Sequence, residues 1–326
     1  MIPENQILCA DALDGLRSLP DGCVSMCVTS PPYYGLRDYG VADQIGTEQT
    51  PAAYITRLVA VFREVRRVLR DDGTLWVNIA DSYAGSGKGL SRRPVTEQRP
   101  DKQLYLREAD SIPADMPHVW DGIKSKDMIG IPWMLAFALR ADGWFLRSDI
   151  IWNKINCLPE SVRDRPTKSY EHIFLLAKSS HYYYDAEAIK EPITESSRVR
   201  YQRGRSGKNK YGEFSGDKGI NGSDYAEKMR GKTTRNKRDI WNISTNSYRM
   251  GGHFAMFPEK LVEPCILAGC PADGIVLDPF FGSGTTGAVA KRLGRQYIGI
   301  DINSQYCRMA QGRIDAVANE LEMTEA

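Results

Sequence analysis

Ser30-Pro31-Pro32-Tyr33 ends a run of strand formers with two residues that donate no backbone hydrogen bond. The chain must stop pairing there and turn rigidly, with a hydroxyl before the turn and a phenol after it. A second candidate lies at residues 276–290. There Val276-Leu277 runs through Asp278-Pro279-Phe280-Phe281 into Gly282-Ser283-Gly284, and Thr285-Thr286 opens a helix. Glycines at such a point permit a tight turn and close approach of a ligand to the backbone, and the helix N-terminus offers free N–H groups. About twenty residues further on, Tyr297-Ile298-Gly299-Ile300 ends in Asp301, a carboxylate suited to a ribose diol. Thr285-Thr286 intervenes before Gly287, and the segment reads as a nucleoside site rather than a clear dinucleotide site. The plain alternative for the same residues is a strand-to-helix turn with a capping threonine and a solvated aspartate.

These residues need strands that end together, and the hydrophobic periodicity supplies them. Residues 6–12 and 25–30 read as strands around a helix at 13–19, a βα unit feeding a parallel sheet. Residues 51–69 begin with a proline suited to a first helical turn and place Leu58, Val61, Phe62, Val65 and Leu69 on one stripe. Asp72-Gly73 then turns the chain into a buried strand at 74–80. Residues 84–127 lack apolar repeats and read as a long excursion. A helix at 131–144 and strands at 145–154 and 172–178 follow. The last third returns to regular alternation: strand 274–280, helix 285–293, strand 296–301 and helix 303–318.

The chain has 326 residues, 42% hydrophobic and 26% charged, the profile of a globular protein of one large α/β domain or two smaller ones. Its net charge of +2 says little about partners, because the distribution matters more than the sum. Seven irregularly spaced cysteines argue against a secreted disulfide scaffold. Cys23 and Cys27 have no second Cys/His pair at zinc spacing, so no metal is expected and buried free thiols are. No signal peptide and no apolar run of about 18 residues is evident, so a cytoplasmic protein without a membrane span is expected.

Asp278-Pro279-Phe280-Phe281-Gly282-Ser283-Gly284-Thr285-Thr286 resembles the S-adenosylmethionine loop of DNA amino-methyltransferases, and Ser30-Pro31-Pro32-Tyr33 resembles their catalytic tetrapeptide. The catalytic piece comes first and the cofactor piece last, as in the circularly permuted β class of that family. Residues 9–16 are similar to the family's cofactor-adenine segment at Asp11. The resemblance implies a Rossmann-like α/β fold with a mostly parallel sheet, circularly permuted, carrying an inserted DNA-recognition region. It divides the chain into a catalytic half, 1–189, a target-recognition insert, 190–238, and a cofactor half, 239–326. Ser30, Pro31, Pro32 and Tyr33 would then be catalytic. Asp11, Asp278, Phe280, Gly282, Ser283, Gly284, Thr285 and Asp301 would hold S-adenosylmethionine.

The implied chemistry suits the rigid corner. An exocyclic amino group on a base is nearly planar and a poor nucleophile. The Ser30 hydroxyl and the Pro31 carbonyl can accept its hydrogens and favour a lone pair aimed at the methyl group, while Tyr33 offers a face to an extruded base. Serine at the first tetrapeptide position resembles the N4-cytosine branch, with N6-adenine as the alternative. A protein or small-molecule N-methyltransferase would place its glycine loop before the tetrapeptide. The resemblance also implies duplex DNA as partner, a cognate restriction endonuclease, a bacterial or phage-infected cell, and a monomer or homodimer.

Residues 190–238 carry 14 Lys/Arg against 6 Asp/Glu. Arg198, Arg200, Arg203, Arg205, Lys208 and Lys210, interleaved with Tyr201 and Tyr211, suit phosphate contacts, guanine edges and stacking. Three other features read as structural. His253 is expected as a satisfied interior histidine. Pro264-Cys265 lies within an apparent helix, so it reads as packing rather than as a cytosine-C5 nucleophile. Residues 84–91 fail the Walker A pattern at Ser82 and Gly89.

Overall fold

The computed structural model describes residues 4–35, 44–84, 122–203, 232–245 and 257–325. The chain divides into two units, Met1–Tyr184 with Asp239–Ala326, and Asp185–Arg238.

In the first unit, β1 (Gln6–Cys9) leads to α1 (Ala12–Arg17), whose N-cap Asp11 accepts the Leu13 N–H at 2.8 Å. β2 (Val24–Thr29) is buried along its whole length, as a central parallel strand must be. α2 (Pro51–Val68) starts from Thr50 as N-cap and buries the expected Leu58, Val61, Phe62 and Val65, together with Tyr54 and Ile55. Leu69, expected on that helix, has extended backbone and opens β3 (Leu69–Ile79). The turn expected at Asp72-Gly73 is a step inside β3. Val24 faces Leu69, yet Met26 already faces Thr74, so the residues between leave the ladder. Asp81 accepts the Gly130 and Ile131 N–H groups at 3.0 Å and so caps α3 (Ile131–Ala141). β4 (Phe145–Asn153) and β5 (Tyr170–Ala177) complete this half.

The second unit pairs β6 (Glu191–Pro192) antiparallel with β7 (Thr234–Arg235) and contains α4 (Glu195–Arg203). Glu191 accepts from Arg235 at 2.8 Å and Arg238 at 2.7 Å, so part of the basic excess is neutralised internally. Arg205, Lys208, Lys210 and Tyr211 lie outside the described residues, as do the side chains of Arg200, Tyr201 and Arg203.

The first unit resumes with β8 (Ile240–Asn242), α5 (Glu259–Gly269), β9 (Ile275–Asp278), α6 (Thr285–Arg292), β10 (Gln296–Asp301) and α7 (Ser304–Glu325). Cys265 is buried in α5, its thiol donating to the Leu261 carbonyl at 3.2 Å, which accords with a packing role; His253 lies outside the described residues.

The described strands of this unit form one sheet in the order β1-β10-β9-β2-β3-β5-β4-β8. All run the same way except β5, which is antiparallel to both neighbours. The α1, α2 and α3 side chains pack on the face presenting Cys27, Leu75, Val77, Phe174 and Leu277. α5 lies on the opposite face, where Gly269 comes close to Trp76 and Met26. Pairing of Met26 with Val276 and Cys27 with Leu277 sets the carboxyl end of β2 beside that of β9, although the two strands are far apart in sequence.

Phe281 ties the glycine loop to the sheet. Its ring is buried, stacks on Tyr297 at 6.1 Å and covers the backbone of Gly299. A Cβ on Gly299 would lie 2.3 Å from Phe281 Cγ, and one on Gly287 2.6 Å from Phe281 Cζ. Gly287 therefore serves packing of the ring rather than approach of a ligand. Gly299→Ala is expected to destabilise the protein by about 1–3 kcal/mol through overpacking. Urea denaturation checks this, and an unchanged midpoint would show that the ring relaxes at no cost.

Candidate active site

Asp278, the last residue of β9, is 1% exposed. Its Oδ1 accepts the Thr29 hydroxyl at 2.6 Å and the Phe280 N–H at 3.0 Å, and its Oδ2 accepts the Thr286 hydroxyl at 2.6 Å. One carboxylate thus joins the end of β2, the start of the glycine loop and the first turn of α6. Burial pushes its pKa up to about 6; the Thr286, Thr29 and Phe280 donors oppose that rise, and Asp301 adds to it.

The loop itself turns on Gly282 and Gly284, at φ +52° and +79°. Space also constrains Gly284, since a Cβ there would meet Ala310 Cβ at 2.7 Å. Asp301 holds the loop from the side: Oδ2 accepts the Gly282 N–H at 2.7 Å and Oδ1 the Asn303 N–H at 2.8 Å. Burial raises the Asp301 pKa, and these two N–H groups counter it. A carboxylate has about four acceptor sites, so both oxygens keep capacity for a ligand diol.

An open cavity sits above these groups, lined by Asp11, Ser30, Pro32, Phe280, Gly282 and Asp301. Ile45, Ile302 and Tyr306 add apolar wall, and Gln44 and Asn303 add polar wall. Carboxylates at two points, an aromatic ring and apolar wall make a set of acceptors and contact surface suited to a nucleoside with a cis-diol. Among the described residues, no cluster of His, Cys, Asp or Glu could hold a metal ion.

The tetrapeptide corner is braced from three directions. The buried Tyr54 hydroxyl donates to the Pro32 carbonyl at 2.7 Å, and Gly35 N–H donates to the Gly46 carbonyl at 2.8 Å. The Tyr33 hydroxyl donates to Glu171 Oε2 at 2.7 Å, and Ser30 Oγ lies 3.3 Å from the same phenol oxygen. Glu171 also receives Asn78 Nδ2 at 2.9 Å and pairs with Lys154. Burial, then the Glu171 charge, hold the Tyr33 phenol well above its ordinary pKa.

The structure therefore brings Ser30, Pro32, Asp11, Phe280, Gly282 and Asp301 to one cavity. Asp11 is at once helix cap and cavity wall. Pro31, Tyr33, Asp278, Ser283, Gly284 and Thr285 are not among the cavity's lining residues: Pro31 and the Asp278, Ser283 and Thr285 side chains are buried, Tyr33 turns its hydroxyl to Glu171, Asp278 is turned to Thr29 and Thr286, and Thr285 accepts from Arg313 at 2.8 Å. Gly284 packs against α7. Glu171, Asn78, Gln44, Ile45 and Tyr306 escaped the sequence reading. A glutamate just before the apolar run of β5 was the available signal for one of them.

Residues 24–312 match the family model N6_N4_Mtase, described as DNA methylase. The chain is 46% identical over 304 residues to the Type II methyltransferase M.Cfr9I of Citrobacter freundii, covering 93% of this chain and 85% of that protein. It is 45% identical over 309 residues to the Type II methyltransferase M.SmaI of Serratia marcescens, covering 95% and 90%. Among solved structures, the PvuII DNA methyltransferase (cytosine-N4-specific) superposes with a TM-score of 0.59 at 16% identity, over 98% of this chain and 92% of that one. A Thermus thermophilus chain described as a DNA modification methylase, complexed with S-adenosyl-L-methionine, gives 0.55 at 21% identity, over 96% and 94%.

The Asp278 junction carries a pH signature. The folded protein binds the Asp278 proton more tightly than the unfolded chain does. The resulting stability is complete below about pH 4 and is lost as pH rises through about 6. Asp278→Asn keeps an acceptor for Thr29 and offers a donor to Thr286, but it does not titrate. The wild type should lose up to about 3 kcal/mol relative to this variant between those pH values. Urea midpoints of both proteins at pH 4 to 7.5 measure it; a difference independent of pH would refute it.

Proposed function

Because this chain belongs to the N6/N4 family of DNA methylases, we propose that it transfers the methyl group of S-adenosylmethionine to N4 of cytosine in duplex DNA, with N6 of adenine as the alternative target. Family membership makes it an S-adenosylmethionine-dependent DNA methyltransferase, and its relatives are Type II modification enzymes. The choice of base rests on Ser30, which matches the N4-cytosine branch of the resemblance, and the cytosine-N4-specific PvuII enzyme shares the fold.

The observation that carries the reading is that Ser30 and Asp301 line the same cavity. Asp301 would hold the ribose diol, Asp11 the adenine side, and Phe280, Ile45 and Tyr306 the flat apolar surface of the nucleoside. The bound cofactor supplies an electrophilic methyl group on a sulfonium. Ser30 Oγ and the Pro31 carbonyl accept the two amino hydrogens of the flipped base, so that its lone pair turns toward the cofactor side of the cavity. The Tyr54 and Glu171 braces hold that corner still, which is preorganisation rather than covalent catalysis. On the resemblance, Tyr33, anchored by its hydroxyl, would offer its ring to the base. The second unit would recognise the target. Arg198 is exposed there, and its contact to Glu195 at 3.5 Å is too long and too solvated to hold it from a phosphate.

Ser30→Ala should reduce turnover about a hundredfold while S-adenosylmethionine still binds. Asp301→Ala should weaken cofactor binding. Calorimetry with cofactor and mass spectrometry of nucleosides from treated DNA give both results and identify the base. Wild-type turnover in Ser30→Ala, or unchanged affinity in folded Asp301→Ala, would remove the assigned role.

Alanine substitutions at Arg198, Arg200, Arg203, Arg205, Lys208 and Lys210 should fall into two groups. Loss of a phosphate contact weakens binding to all sequences and flattens its salt dependence. Loss of a base reader relaxes site preference by about 1–3 kcal/mol. Retained site preference after replacing 190–238 by a Gly/Ser linker would move recognition elsewhere.

A further inference from the structure

Ser30, Tyr33 and Glu171 form a hydrogen-bond chain whose direction is set from its buried end. Glu171 is 7% exposed; Oε1 receives the Lys154 ammonium, and Oε2 receives Asn78 Nδ2 at 2.9 Å and the Tyr33 hydroxyl at 2.7 Å. An ionised carboxylate only accepts. The Tyr33 hydrogen is therefore committed to Glu171, and the phenol oxygen turns its lone pairs toward Ser30, 3.3 Å away. Ser30 then directs its own hydrogen at Tyr33 and keeps its lone pairs for the cavity it lines. With the opposite polarity, Tyr33 would donate to Ser30 and the serine hydrogen would face the cavity, setting donor against donor with an amino group.

Resting on the amino-methyltransferase reading of the site, we propose that Glu171 is a positioning residue that sets the Ser30 hydroxyl in its accepting orientation through Tyr33. The elevated Tyr33 pKa supports this, because the phenol remains a donor over any working pH. The Ser30–Tyr33 separation is long for two hydroxyls, and such contacts commonly tighten once substrate is bound. Lys154 on Oε1 and Asn78 on Oε2 give Glu171 a charged and a neutral donor, so its oxygens are held in the accepting role toward Tyr33.

Glu171→Leu removes the acceptor and keeps most of the volume. Its kcat on unmodified DNA should fall about 10- to 100-fold, the range for partners that orient a reacting group, with cofactor affinity unchanged by calorimetry. Tyr33→Phe, which keeps the ring, should show the same loss, and the double variant should be no slower than Tyr33→Phe alone. Glu171→Gln retains an oxygen for Tyr33 and should recover most of kcat. Additive losses in the double variant, or a glutamine variant as slow as the leucine one, would show a merely structural role and overturn the proposal. If Glu171→Leu does not fold, wild-type kcat in Tyr33→Phe is enough to overturn it. A wild-type protein that methylates no DNA would defeat the functional reading itself. Active wild type with unaffected variants would defeat only the role of Glu171.

Discussion

The carboxylate of Asp278, almost wholly withdrawn from water, can stay ionised near neutral pH only because Thr29, Thr286 and the Phe280 N–H all point at it. A buried charge with fewer donors would cost several kcal/mol or keep its proton. Those donors come from the end of β2, the first turn of α6 and the loop between. Satisfying one charge therefore fixes where the Ser-Pro-Pro-Tyr corner begins relative to the glycine loop. Two segments nearly 250 residues apart in the chain are registered by bonds of 2.6 Å on either side of a single side chain.

Steric exclusion does the remaining positioning of the loop. Phe281 fills the space left by the missing Cβ atoms of Gly299 and Gly287, and Gly284 lets α6 lie against Ala310 of α7. Once the ring is seated, the Gly282 N–H reaches Asp301 and the carboxylate is held at the cavity wall. Packing and polar satisfaction act on the same few residues here. A change meant to probe the ligand at Gly282 or Gly284 would therefore also test the fold.

The reversed direction of β5 supplies the third element. Parallel strands bring their carboxyl ends to the site, but β5 brings its amino end, so Tyr170, Glu171 and His172 stand at the edge where β2 and β3 finish. Asn78 is opposite Ile173, and Thr29 opposite Val77. Period-two alternation then puts Ser30, Asn78 and Glu171 on the same face of the sheet. A glutamate that would be costly in a buried strand thereby finds a lysine, an amide and a phenol.

Much of this was legible in the residues alone. Prolines in tandem must end a strand, a glycine run between strand and helix must turn, and the helical stripe of α2 must be buried, because these follow from local sterics and periodicity. The cavity residues Ser30, Gly282 and Asp301 stood out by such local signals, while the family and its mostly parallel sheet were implied by the resemblance of two motifs to those of DNA amino-methyltransferases. Local signals could not say that Asp278 faces Thr29 rather than a ligand, that Thr285 turns to Arg313, or that Gly287 accommodates a ring. Nor could they reveal that β5 runs backward and delivers Glu171 to Tyr33. Each of those depends on strand order and register, and these are decided by which buried surfaces and charges can be satisfied together across the whole sheet.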